Sequence, residues 1–133
     1  MTYLLDTNTC IRYLNGRSPS VRNRLEALTP AEVCLCAVVK AELAYGAARS
    51  HDPARTLAKL ATFLAPFTSL PFDDSCADTY GHVRAQLEQA GTPIGPNDLM
   101  IAVIAVTHGL TLVTHNTREF ERIPRLSLTD WEA

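Results

Sequence analysis

Tyr3-Leu4-Leu5-Asp6-Thr7-Asn8-Thr9-Cys10-Ile11 changes its pattern in mid-stretch. A short apolar run stops at Asp6-Thr7-Asn8, all good helix-capping residues, and a helical spacing through Cys10, Ile11 and Leu14 takes over. This reads as a strand feeding directly into a helix that Gly16 ends. The same alternation repeats down the chain. Ser18-Pro19 opens a helix with Val21, Leu25 and Leu28 on one face. The stretch from Ala31 to Val38, rich in Val, Cys and Leu, reads as a strand, and Val39 to Ala48, rich in Ala, Lys, Glu and Leu, reads as a helix.

Pro53 starts a helix carrying Leu57, Leu60, Ala61 and Leu64 and closed by Pro66, and Phe67 to Phe72 is the next strand. Asp73 and Asp74 cap a helix through Ala77, Tyr80, Val83 and Leu87 that ends at Gly91. Two prolines and two glycines exclude regular structure from Gly91 to Pro96, after which Asn97-Asp98 forms the entry to a helix. That helix, Leu99 to His108, is apolar nearly all round, as a helix packed deep against a sheet must be. Leu110 to Thr114 is a buried strand, His115 to Phe120 a polar turn or short helix, and Leu126-Ser127-Leu128 precedes Trp131. Strands alternating with helices predict an α/β fold, a three-layer sandwich in which helices flank a central, mostly parallel sheet with right-handed crossovers.

A length of 133 residues suits one domain spanning 1–133 and leaves no room for two ordinary cores. The 47% apolar and 20% charged content excludes a disordered chain. The longest apolar run, Leu99 to Val106, is too short to cross a bilayer, and the first residues lack a basic segment followed by a long apolar one, so a cytoplasmic location is expected. Cys10, Cys34, Cys36 and Cys76 sit among apolar neighbours without a Cys-x-x-Cys pair, which reads as buried free thiols rather than zinc ligands. A net charge of −2 argues against nucleic-acid binding driven by overall phosphate neutralisation. The arginines are nevertheless clustered, with Arg12, Arg17, Arg22 and Arg24 near the start and Arg118, Arg122 and Arg125 near the end. Each cluster is either a solvated helix face or a phosphate contact.

Ligand sites of parallel sheets lie beyond the carboxyl ends of the strands. Asp6 and Asn116 each follow a strand, Asp98 begins the buried helix, and Glu42 lies on a helix that starts just past a strand. Four oxygen-bearing side chains from distant segments would thus converge on one sheet edge. Like charges held close raise each other's pKa, and hard oxygen donors without Cys or His suit Mg²⁺ or Mn²⁺, the setting for metal-assisted hydrolysis of a phosphodiester. Taken singly, each residue also has a plainer role: Asp6 and Asp98 as helix caps, Glu42 as a solvated charge, Asn116 as a turn residue.

Four blocks resemble those of PIN domains, in order: Leu4-Leu5-Asp6-Thr7-Asn8, Lys40-Ala41-Glu42-Leu43-Ala44-Tyr45-Gly46, Gly95-Pro96-Asn97-Asp98-Leu99-Met100-Ile101-Ala102, and Leu112-Val113-Thr114-His115-Asn116-Thr117-Arg118-Glu119-Phe120. The resemblance runs from Tyr3 to Trp131, and the endings Arg-Glu-Phe-Glu-Arg-Ile-Pro and Asp-Trp are similar to those of VapC toxins of bacterial toxin–antitoxin pairs. It implies a PIN-like fold and a divalent-metal endoribonuclease that blocks translation, forms homodimers and is neutralised by a VapB-type antitoxin. It favours tRNA as substrate, the anticodon stem-loop of initiator tRNA above all. It also implies that Asp6 and Asp98 are metal ligands and that Glu42 completes the acidic triad. Where the family often has Asp, this chain has Asn116. An amide carries no charge, so a second metal would be held less firmly, with Glu119 as partial substitute.

Thr7, Asn8 and Thr114 are candidates to orient Asp6 through hydrogen bonds. Arg118 is a candidate phosphate contact, against a surface ion pair with Glu119 or Glu121. His115 reads as a surface residue at a strand end rather than a general base. Ile11, Tyr13, Leu14, Val21 and Leu25, with the helix from Leu57 to Leu64, exceed what one core face requires, and each is either plain core or part of a groove for an antitoxin helix. Three rivals stay open. A receiver-type Mg²⁺ switch needs an acidic pair after the first strand and an acid on a middle strand, and neither is present. A catalytically silent PIN fold that only binds RNA or protein is kept open by Asn116 and opposed by the three leading acids. A DNA-directed PIN nuclease is disfavoured by the compact length.

Overall fold

The computed structural model describes residues 1–133. Five strands, β1 (Tyr3–Leu5), β2 (Val33–Cys36), β3 (Thr68–Leu70), β4 (Thr111–Val113) and β5 (Ser127–Thr129), form one sheet in the order β3-β2-β1-β4-β5. Every pairing is parallel, so the sheet is wholly rather than mostly parallel. In register, Leu4 lies between Cys34 and Leu112, which places the ends of β1 and β4 side by side. The chain steps outward from β1 through β2 to β3 and then returns across to β4. The reversal of strand order therefore falls between β1 and β4, where a parallel sheet opens a crevice at its carboxyl edge.

Helices α1 (Thr7–Leu14), α2 (Pro19–Glu26), α3 (Ala37–Ala48), α4 (Pro53–Leu64), α5 (Asp74–Gln89), α6 (Pro96–His108) and the short α7 (Thr117–Phe120) flank this sheet. Their starts follow local capping chemistry. The Asp6, Ser18, Asp52 and Asp73 side chains each accept the backbone N–H three residues on, and Pro19, Pro53 and Pro96 occupy first-turn positions where no N–H is needed. Gly109 closes α6 at φ 65°, a left-handed conformation that a Cβ would strain.

Several boundaries differ from those read in the sequence, among them the fourth strand, which contracts to Thr111–Val113, and the last, which runs Ser127–Thr129. The second strand is shorter at both ends, because Pro30–Glu32 forms a 3₁₀ turn and α3 begins at Ala37. The third strand contracts to Thr68–Leu70. Helix α6 begins at Pro96, because a proline fits the first turn of a helix and Gly95 serves as its cap. Asp98 is therefore a first-turn residue and not the cap.

Thirty buried apolar residues form one connected core, fed by both faces of the central strands β1, β2 and β4 and by α6, whose Leu99 and residues 101–105 are all buried. Full burial of each Leu, Ile or Val in that helix contributes about 1.5–3 kcal/mol, which fixes the direction in which its first turn points. All four cysteines are buried and free. The C-terminal segment is pinned by Trp131, 2% exposed, whose ring meets Tyr3 edge-on at 5.5 Å and whose carbonyl accepts the Ser20 hydroxyl. No helix is long and apolar enough to cross a membrane.

Candidate metal centre

Asp6 caps α1 at the carboxyl end of β1. Its Oδ1 accepts the Thr9 N–H at 2.8 Å, and its own N–H joins Val113 O at 3.1 Å, so the residue is tied to the ends of β1 and β4 together. It is 5% exposed. Burial pushes its carboxyl above the usual range, while hydrogen bonds from Thr114 and Thr9 draw it back. Thr9 was not anticipated as a partner. Its signal was the spacing of a capping Asp three residues before it.

Glu42 projects from the middle of α3. Thr7 Oγ1 donates to its Oε1 at 2.6 Å, and Asn97 Nδ2 lies 3.5 Å from its Oε2. Thr7 thus orients Glu42, not Asp6, while Asn8 is exposed and makes no hydrogen bond to either. The contact of α1 with α3 carries the first link, and that of α3 with α6 carries the second.

Asp98 sits in the first turn of α6. Its carboxyl is raised to about 6, first by burial and then by the charges of Glu119, Glu42 and Asp6. Four carboxylates from four segments therefore share one electrostatic field. Asn116, beyond β4, joins the cluster through Glu119: its Nδ2 donates to Glu119 Oε2 at 3.1 Å, and its backbone N–H bonds Thr114 Oγ1 at 3.1 Å. The Asn116 side-chain oxygen, Oδ1, has no intramolecular donor and remains available as a neutral ligand, whereas its backbone carbonyl accepts the Phe120 N–H. Arg118 is exposed on α7 and makes no ion pair.

This donor set fits a hard divalent cation. All the donors are oxygens, no lysine or arginine neutralises Asp98, and each carboxylate raises the cost of ionising it. A 2+ charge at their centre would remove that penalty. The PIN domain family model matches residues 3–126, a span that contains all five side chains of the cluster. The chain belongs to the PIN domain family.

This PIN domain is 40% identical over 131 residues to the tRNA(fMet)-specific endonuclease VapC of Salmonella typhimurium, with 98% of each chain covered. It is 41% identical over 133 residues to ribonuclease VapC2 of Rickettsia felis, with 99% of each covered. Among solved structures, the DNA-bound VapBC of Salmonella typhimurium superposes with a TM-score of 0.92 at 40% identity, covering 98% of both chains. The five-stranded parallel sheet between helices is the PIN-like α/β fold expected from the sequence.

Proposed function

We propose that this PIN domain is the toxin of a VapBC-type pair and acts as a metal-dependent endoribonuclease. The observation that carries the reading is the convergence of Asp6, Glu42, Asp98 and Glu119 on the β1–β4 edge, with Asp98 raised to about 6. Asp6 and Asp98 hold Mg²⁺ or Mn²⁺, Glu42 completes the triad, and Asn116 contributes its amide oxygen beside Glu119. Bound there, the cation would lower the pKa of a water and offset the negative charge that develops on the phosphoryl oxygens. The chain's own residues set the geometry. Cap and strand bonds immobilise Asp6, Thr7 and Asn97 aim the two Glu42 oxygens, and Thr114 holds the backbone of Asn116.

The substrate is RNA, with tRNA favoured because a relative of 40% identity is named a tRNA(fMet)-specific endonuclease. Its cleavage arrests translation in the cytoplasm. A VapB-type antitoxin neutralises the enzyme by laying an apolar segment into a cleft of about 400 Å³ between α1, α3 and α4, lined by Ile11, Leu14, Leu43, Ala47 and Leu60. Within that lining Ile11 is 42% exposed, and Leu57 on α4 is 44% exposed in a neighbouring depression, whereas Val21 and Leu25 are spent in the core. As in many such toxins, the working unit is a homodimer.

Purified protein incubated with total bacterial tRNA in Mg²⁺ or EDTA, beside an Asp6→Ala, Asp98→Ala variant, tests the reading. A discrete, metal-dependent product absent from the variant is expected. Intact tRNA and messenger RNA with antitoxin-free protein in both Mg²⁺ and Mn²⁺ would overturn it.

A further inference from the structure

Beside the acidic cluster, a polar cleft of about 450 Å³ opens between the start of α1 and the C-terminal segment. Asp6 lines it together with Asn8, Arg12, Arg17, His115 and Glu132. Two arginines border the acidic site on this side. Arg12 lies one helical turn after Asn8 on α1. Gly16, at φ 68°, then reverses the chain, and Asn15 Oδ1 accepts the Arg17 N–H at 3.0 Å, which fixes the turn that returns Arg17 to the same cleft. Arg17 is exposed and has no ion-pair partner.

The C-terminal wall is equally organised. Trp131, locked into the core, holds Asp130 and Glu132 at the carboxyl edge of the sheet. Asp130 Oδ2 bonds His115 Nδ1 at 3.0 Å, and its Oδ1 accepts the Glu132 N–H at 2.8 Å. The Glu132 carboxylate reaches Arg12 Nε at 3.6 Å, and its side chain is 17% exposed. It also adds to the negative field on Asp6. An anionic oxygen pair thus rests against Arg12 within the cleft that leads to Asp6.

We infer that this cleft is a docking track for the RNA backbone, in which Arg12 and Arg17 take phosphates flanking the scissile bond and Glu132 occupies the phosphate position on Arg12 when no RNA is bound. The inference rests on the ribonuclease reading and adds to it the strand path and a built-in competitor. A phosphodiester in the cleft displaces Glu132 from Arg12. The guanidinium exchanges one oxyanion partner for another, and Arg17 gains a partner it lacks in the free protein. Arg118, on the α7 side, is not part of this track.

The test is fluorescence anisotropy with a fluorescein-labelled single-stranded RNA 12-mer in EDTA, read between 50 and 200 mM KCl, with tRNA cleavage in Mg²⁺ measured in parallel. Arg12→Ala and Arg17→Ala should each bind more weakly. Each should also shrink the salt-induced loss of affinity by about two- to threefold, the amount one phosphate contact to a single strand contributes over that range. Arg12→Lys should keep the wild-type salt dependence, since a point charge suffices for counterion release. Glu132→Gln should bind more tightly than wild type. Melting curves for each variant separate loss of a contact from loss of fold. Wild-type affinity and salt dependence in Arg12→Ala and Arg17→Ala, with wild-type cleavage intact, would overturn the track alone, as would a salt effect confined to Arg118→Ala. Weaker binding by Glu132→Gln would overturn the competitor role. A wild-type protein that neither binds nor cleaves RNA would overturn the ribonuclease reading and the track with it.

Discussion

Replacing Asp98 by Asn should stabilise the metal-free protein at neutral pH. Asp98 has a carboxyl near 6 in the fold, against an ordinary value of 3.8. Its neutral form is therefore the one the fold prefers. Stability from this group is fully present below about pH 4 and is lost as pH rises through about 6, beyond which the ionised carboxylate is held at a cost. The full gap corresponds to about 3 kcal/mol. Partial exposure screens the repulsion and reduces this to about 1–2 kcal/mol. Asp98→Asn abolishes the penalty while keeping the side chain's shape, so at pH 7.5 in EDTA its melting temperature should exceed wild type by about 3–7 °C for a chain of this size. The two proteins should converge near pH 4. Added Mn²⁺ should reverse the order, because wild type gains binding energy that the amide cannot supply. Thermal melts by circular dichroism at pH 4, 6 and 7.5, with EDTA or Mn²⁺, measure all of this. An Asp98→Asn protein no more stable than wild type at pH 7.5, or one whose advantage is the same at pH 4, would refute the electrostatic account of the cluster.

Asn116→Asp should lower the melting temperature in EDTA at neutral pH by adding a charge beside Glu119, and enlarge the stabilisation by Mn²⁺; the same melts in both conditions read it. Thr7→Val removes the 2.6 Å bond that aims Glu42 and should weaken metal affinity about 10-fold or more with little change in melting temperature, measured by calorimetric Mn²⁺ titration. Ile104→Ala empties a fully buried position in α6 and should cost about 2–5 kcal/mol in urea unfolding. Gly109→Ala, at φ 65°, should cost about 1 kcal/mol in the same assay, because an L side chain strains a left-handed helix end.

The alternation of strands and helices was legible because each element carries its own signal. Asp6 after Leu4-Leu5, Pro53 at a helix start and Gly109 at a helix end act on their nearest neighbours alone. The candidate ligands were legible by type and by position after a strand or at a helix entry, and more firmly by resemblance to a family. Boundaries such as Ala37 and Pro96 were not, because propensity near a junction is weak and tertiary packing decides how many residues extend. Asp98 read as a cap for that reason, although it lies in the first turn of α6.

Everything that depends on two distant segments belonged to the tertiary structure. That Thr7 serves Glu42 rather than its neighbour Asp6 follows from the packing of α1 against α3, 35 residues apart in sequence. The perturbation of Asp98 arises from burial and three carboxylates in other elements, and no local window contains that sum. The pairing of Arg12 with Glu132 spans nearly the whole chain and exists because Trp131 anchors the last residues beside β1. Sequence determined the fold class and the chemistry of the donors, since these follow from local pattern and residue type. Their mutual distances and charges depend on which strand neighbours which, and the placement of β4 beside β1 decided that.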